Sequence, residues 1–189
     1  MAILKLQDRP YTLMTLAVLF WAGNFILGRA FHSDIPPIAL AFWRWTVASL
    51  LIIGPAFKHL RRDRAEIMRH WPAVLLLAGL GIAAFNTLAY TGLQYTQAIN
   101  AFLIQSLMPV LIVALSYIIF RERIHALQAV GILISLCGAA AIIAHGKPQV
   151  FLSLTFNRGD LFVATAILCY AGYSVMLRKR PQIHPLSFI

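Results

Sequence analysis

Charged side chains are scarce in this sequence, and acidic ones are scarcer still. Only 12% of the 189 residues are charged, with 6 acids against 16 lysines and arginines, whereas an average soluble domain carries about 25% charged residues. Hydrophobic residues make up 60% of the chain, and the mean hydropathy is +0.78. This much apolar surface excludes an ordinary soluble domain and favours a protein whose partner is the lipid bilayer.

Sequence signatures of catalysis and of cofactor or metal binding are also missing. There is no P-loop, H-E-x-x-H, G-x-S-x-G or paired-acid motif, so we predict that the protein is not an enzyme and uses no cofactor or metal. The two cysteines, Cys137 and Cys169, lie inside apolar runs and are interpreted as packing residues. All six acids and six histidines lie in connectors or near the ends of apolar runs, which argues against a buried proton relay.

Six apolar segments of about 19–23 residues divide the chain. They cover residues 11–31, 37–57, 72–93, 98–120, 126–144 and 159–177. A helix needs about 20 residues to cross the hydrocarbon core and satisfies its own backbone hydrogen bonds there. The segments also lack the alternation of β-strands. The sequence therefore predicts an all-α, polytopic membrane helix bundle with six transmembrane helices.

The net charge of +10 comes from basic residues in the connectors between these segments. They form no continuous basic stripe with interleaved aromatic residues, which argues against nucleic acid as a partner. With the N-terminus in the cytoplasm, 12 of the 16 fall inside, Lys147 and Arg158 fall outside, and Arg29 and Arg44 belong to spans. The positive-inside rule favours this orientation. We expect a multi-pass protein of the plasma membrane, as in the bacterial inner membrane.

A short stretch of the first segment recurs in the last one. WAGNFILGR at 21–29 is echoed by YAGYSVMLR at 170–178, so that Trp21 aligns with Tyr170 and Arg29 with Arg178. Five helices separate the two starts, and because five is odd the copies begin on opposite sides of the membrane. This predicts an inverted-topology repeat, an architecture of many secondary transporters.

The repeat sets the expected domain organisation. Residues 1–146 form a first five-helix repeat, 147–158 an extracytoplasmic loop, and 159–189 the start of a second repeat. A complete second repeat needs on the order of another hundred residues, which predicts a protein of about ten helices. The alternative is a six-helix protein with a coincidental echo.

Four polar residues are predicted to share one depth in the membrane. At about 1.5 Å per residue, Asn24, Arg44, Asn86 and Gln105 all fall in one layer of the outer half. A guanidinium and three amides facing a lumen suit the carboxylate and amide groups of a small polar solute. The alternatives are that Arg44 snorkels to the outer headgroups and that the amides only bond neighbouring helices.

Aromatic residues on the same helix faces complete the predicted substrate site. Trp21 shares a face with Asn24, and Tyr90 shares one with Asn86. Tyr170 lies near mid-depth in the sixth segment, where its hydroxyl needs a partner. The predicted substrate-binding set is Trp21, Asn24, Arg44, Asn86, Tyr90, Gln105 and Tyr170.

Three stretches carry a family resemblance. LFWAGNFILGR, IPPIALAFWRW and INAFLIQSLMPVLIVALSYIIFRERIHALQAVGILISLCGAAAI resemble the EamA-like transporters of the drug/metabolite transporter superfamily. The resemblance implies two five-helix repeats that form a ten-helix exporter of small metabolites such as amino acids. The family also carries an acid at Glu122, for which we prefer a structural explanation, pairing with Arg121 or Arg123 or favouring the next helix start.

Two functions are compatible with these observations. The first is a secondary transporter, in particular an exporter of small polar metabolites such as amino acids, that works by alternating access. The second is a non-transporting membrane scaffold or a lipid-handling protein, which would have no solvated cavity at the polar layer.

Overall fold

The computed structural model describes residues 9–31, 35–144, 149 and 155–188, with the side chains of residues 24, 25, 28, 29, 37 and 143 not included. Each of the six predicted apolar segments forms a helix, and no strand occurs in these ranges. The all-α, polytopic prediction is therefore confirmed. The helices are α1 (Pro10–Ala30), α2 (Pro37–Arg69), α3 (Trp71–Tyr95), α4 (Ala98–Phe120), α5 (Ala126–Ile143), α6 (Arg158–Met176) and a short α7 (Pro185–Phe188).

By length and composition, α2, α3, α4 and α6 can each cross a membrane, and α1 and α5 contain shorter apolar stretches. Large apolar side chains are widely exposed along the bundle, including Phe20 (78%), Leu51 (74%) and Ile142 (76%). A water-soluble monomer rarely exposes so much apolar surface. The outer faces of the helices therefore suit contact with acyl chains.

Helix α2 is longer than its apolar segment. Its 33 residues span about 50 Å, against about 30 Å of hydrocarbon. The charged stretch from Lys58 to Arg69 was expected to be a connector, but it holds no Gly or Pro and many good helix formers, so the helix continues to Arg69.

Helices α3 and α4 both depart from regular α-geometry. In α3, residues Gly79–Ala84 form a π-helical turn between two α-helical parts. In α4 the helix is interrupted at Leu107, one residue before the part that contains Pro109. The interruption lies next to Pro109, because proline cannot donate the backbone hydrogen bond that would continue the preceding turn.

The tightest packing joins α6 to α3. Ala166, Ala171 and Val175 of α6 are almost completely buried. Two glycines let the backbones meet, since an added Cβ on Gly159 would lie 2.6 Å from the carbonyl oxygen of Gly92. This contact brings the start of α6 beside the end of α3, and it holds the two helices antiparallel.

Three other glycines, in α3 and α5, make no close contact with a neighbouring helix among the described residues. Gly131 and Gly138 of α5, and Gly79 of α3, would meet no atom within 4 Å if a Cβ were added. Small residues allow two helices to approach closely, but only the tertiary structure shows whether another helix packs against them. Among the described residues, the close approach occurs instead at Gly92 and Gly159.

Candidate functional site

Two members of the predicted polar layer form a direct hydrogen bond. Arg44 on α2 donates from Nη2 to Oδ1 of Asn86 on α3, over 2.5 Å. Asn86 is buried and donates from Nδ2 to the carbonyl oxygen of Ile82, over 2.8 Å. Ile82 belongs to the π-helical turn, a distortion that often accompanies functional sites. The amide therefore holds one side of the guanidinium in place.

Aromatic rings also surround Arg44. The guanidinium carbon lies 5.3 Å from the ring centre of Trp45 and 5.6 Å from that of Tyr90, which are cation–π distances. Tyr90 is buried and Arg44 is half-buried. The side chain of Arg44 thus packs against its neighbouring helix instead of extending along α2 towards the headgroups.

A cavity of about 500 Å³ opens beside this pair, within the range of small-molecule sites. It is bounded by α1, α2, α3, α6 and α7. Four of the seven predicted site residues line it: Trp21, Arg44, Asn86 and Tyr170. Lining residues that the sequence did not indicate include Trp45, Gly81, Phe85, Tyr173, Ser187 and Phe188.

Four aromatic rings form one wall of the cavity. The ring centres of Tyr170 and Phe85 are 4.7 Å apart, those of Trp21 and Tyr170 5.6 Å, and those of Tyr170 and Tyr173 5.5 Å. Gly81 makes room for this wall, because a Cβ there would lie 2.6 Å from the ring of Tyr173. Tyr173 lies three residues after Tyr170 on the same helix, a spacing that could have indicated it as a lining residue but was not used in the sequence analysis.

The other three predicted residues are not found among those that line the cavity. Tyr90 contacts Arg44 but is not among the residues that line the cavity. Gln105, half-buried on α4, is not among them either. The side chain of Asn24 lies outside the described residues. Of the predicted layer, Arg44 and Asn86 are the two members that line this cavity among the described residues.

The cavity extends from this pair towards one end of the bundle. Val74 and Leu77, near the start of α3, line it together with Ser187 and Phe188 of α7. The opposite end of α3 is the region packed tightly against α6. The layer was expected in the outer half of the membrane, whereas the cavity runs from it towards the end where α2, α4 and α6 finish.

A cluster of polar residues joins the start of α6 to the end of α3 and the start of α4. The buried carboxylate of Asp160 accepts hydrogen bonds from the Thr96 hydroxyl (2.5 Å), the Asn157 backbone N–H (2.8 Å) and the Asn100 amide (3.4 Å). Asn157 caps α6 by accepting from the Gly159 N–H. Asp160 therefore stabilises the start of its own helix and also joins α6 to the α3–α4 turn.

The sequence comparison decides the family. The EamA-like transporter family matches residues 9–144, which is most of the chain. The protein belongs to the EamA-like transporter family.

Named relatives of this EamA-like chain are transporters of bacteria and archaea. It is 27% identical to the uncharacterized transporter YyaM of Bacillus subtilis, over 85% of this chain and 53% of that protein. It is 25% identical to an uncharacterized transporter of Archaeoglobus fulgidus, over 92% of this chain and 59% of that protein. The chain thus spans little more than half the length of these relatives. No solved structure matches it.

Glu122, just after the end of α4, has a different partner from the expected one. Its Oε2 pairs with Nη1 of Arg178 at the end of α6 and accepts a hydrogen bond from Ser116 (3.1 Å). The neighbours Arg121 and Arg123 were expected instead, but the left-handed backbone at Arg121 (φ 56°) ends α4 there. The bond from Arg178 lowers the pKa of Glu122 below its usual range.

Proposed function

We propose that this protein is a secondary transporter, an exporter of small polar metabolites such as amino acids, that works by alternating access. The observation that carries the proposal is the Arg44–Asn86 hydrogen bond on the wall of a cavity between helices. A guanidinium inside a membrane protein is costly unless it faces a partner or a wet cavity. Here the guanidinium has a partner in Asn86 and also lines a cavity, and its forked donor geometry suits a carboxylate.

The inverted repeat supports alternating access. Trp21 and Tyr170 are equivalent positions of the two copies, and their rings are in contact at 5.6 Å. Equivalent residues meet in this way where a pseudo-two-fold axis passes between two repeats. Substrate sites of many secondary transporters lie at such a repeat interface. The division into a repeat over 1–146, a loop over 147–158 and a second repeat from 159 is part of this proposal.

The arrangement of charges supports a cytoplasmic N-terminus. Asp63 of α2 accepts the backbone N–H of His184 (2.8 Å), and Glu122 pairs with Arg178. With these contacts, three basic stretches lie at one end of the bundle: the last turns of α2 (Lys58–Arg69), Arg121–Arg123 and Arg178–Arg180. The positive-inside rule assigns that end to the cytoplasm, and the cavity then extends from mid-membrane towards the cytoplasmic side.

Transport by Arg44 variants tests the proposal. The complete gene product is reconstituted in vesicles, and the flux of labelled small metabolites is measured, beginning with amino acids. Arg44→Gln is expected to lower flux at least tenfold while expression and elution as a single species persist, because a lost charge-assisted bond is worth about 1.5–3 kcal/mol.

A matched variant controls for the loss of a positive charge. Arg158, at the other end of α6, also packs on an aromatic ring, with its guanidinium carbon 4.0 Å from the centre of Tyr95. Arg158→Gln should leave flux close to that of the unmodified protein. Flux that survives Arg44→Gln unchanged would remove Arg44 from the transport path.

A further inference from the structure

We infer that the ligand of this cavity is an aromatic carboxylate without an amino group, rather than an amino acid. The inference rests on the proposed transport function and replaces amino acids, the example of a substrate given there, with another class of carboxylate. It follows from which charges and which apolar groups the cavity presents.

The charge of the cavity is of one sign. Arg44 is the only permanently charged side chain among its described lining residues, and no Asp or Glu is among them. Asp63, near the α2–α7 contact, accepts the His184 backbone N–H and does not line the cavity. The charge of Arg44 would therefore neutralise a bound carboxylate. The ammonium of an amino acid would lie close to the like charge of Arg44, and the described lining of the cavity offers it no acidic side chain.

The aromatic wall of the cavity indicates the apolar part of the ligand. Trp21, Phe85, Tyr170 and Tyr173 present their rings to the cavity, with neighbouring centres 4.7 to 5.6 Å apart. Such a wall favours a flat apolar group by offset or edge-to-face contact. The guanidinium and the ring wall together fit a molecule with a carboxylate at one end and an aromatic ring at the other.

Four related probes separate these contributions. Phenylpropanoate has the ring and the carboxylate, phenylalanine adds the ammonium, phenylethylamine has the ring and the ammonium only, and propanoate lacks the ring. Their binding to the complete protein in detergent is measured by equilibrium dialysis with labelled ligand. We expect phenylpropanoate to bind at least tenfold more tightly than each of the other three.

Variants then assign the contributions to residues. Arg44→Gln should reduce the affinity for phenylpropanoate about tenfold or more. The variant should then bind phenylpropanoate and phenylethylamine with similar affinity. Trp21→Ala should lower the affinity for phenylpropanoate but not the affinity for propanoate. Arg158→Gln is the matched control and should leave the order unchanged. The unmodified protein tests the inference even if a variant fails to fold.

The inference is overturned if phenylalanine binds as tightly as phenylpropanoate or more tightly, for instance because the rings hold its ammonium by cation–π contact. It is also overturned if none of the four probes binds. Flux separates it from the proposed function. Phenylpropanoate that binds in the expected order without crossing the membrane would refute transport alone, and Arg44-dependent flux of a more tightly bound phenylalanine would refute only the ligand class.

Discussion

The contact between Gly92 and Gly159 provides a test of the packing that closes one end of the bundle. In Gly159→Ala, the new Cβ would lie 2.6 Å from the Gly92 carbonyl oxygen and 2.7 Å from the Thr96 nitrogen. Ordinary contact begins at 3.4 Å, so α6 must withdraw from α3 by most of an ångström. Both atoms belong to backbone, so no side-chain rotation can relieve the overlap.

The size of the effect follows from two contributions. Overpacking costs about 1–3 kcal/mol, and withdrawal of α6 also lengthens the Thr96–Asp160 hydrogen bond, a bond to a charged group worth about 1.5–3 kcal/mol. A total of about 3 kcal/mol corresponds to a melting temperature lower by about 6–12 °C for a chain of this size. Alanine is otherwise the better helix former, so helix propensity would act in the opposite direction.

The assay is thermal stability in detergent, followed as loss of the monodisperse peak in fluorescence-detected size-exclusion chromatography. Gly131→Ala is the matched control, since a Cβ there meets no atom within 4 Å, and it should melt at the same temperature as the unmodified protein or slightly above it. Gly92→Ala acts at the same contact, so the double variant should lose less than the two single losses added together. Equal melting of Gly159→Ala and Gly131→Ala would refute the close approach of α3 and α6.

Two further predictions concern the cavity wall and the opposite end of the bundle. Gly81→Ala should lower the melting temperature by several degrees because of the Tyr173 ring, and Tyr173→Leu in the same chain should restore part of it, whereas additive losses would contradict that contact. Because Arg178 lowers the pKa of Glu122 in the folded protein, the stabilisation by this pair is present above the ordinary carboxyl pKa and is lost as the pH falls through the lowered value. The difference in stability between the unmodified protein and Glu122→Gln should therefore become smaller as the pH falls. A difference that becomes larger on acidification would show that the pKa of Glu122 is not lowered in the folded protein.

Counting residues was sufficient to bring Arg44 and Asn86 to the same depth, because the rise along a helix is constant. It was not sufficient to bring in Gln105, which was assigned the same depth but does not line the cavity. Depth leaves the rotation of a helix about its axis undetermined, and that rotation depends on the helices packed against it. The same limitation explains why Trp45, the residue after Arg44, was not predicted as a lining residue.

Long-range partners were the other feature that sequence reasoning missed. Glu122 was paired with its chain neighbours, whereas its partner Arg178 is 56 positions away and belongs to the end of α6. Asp160 lies in the first turn of α6, but its carboxylate also accepts a hydrogen bond from Thr96, 64 positions away. Local propensities describe a residue's own turn of helix, and neither connection has a local signature.

The sequence by itself determined that this chain is a membrane-embedded helical bundle, where its six apolar segments lie and that the positive charge lies mostly outside those segments. These properties follow from composition and from the thickness of a bilayer. Only the tertiary structure decided that two glycines close one end, that Arg44 turns towards Asn86, and that four aromatic rings face the resulting cavity. Those outcomes depend on how each helix is rotated and how closely its neighbours approach, and many helices of the same hydropathy could have packed in other ways.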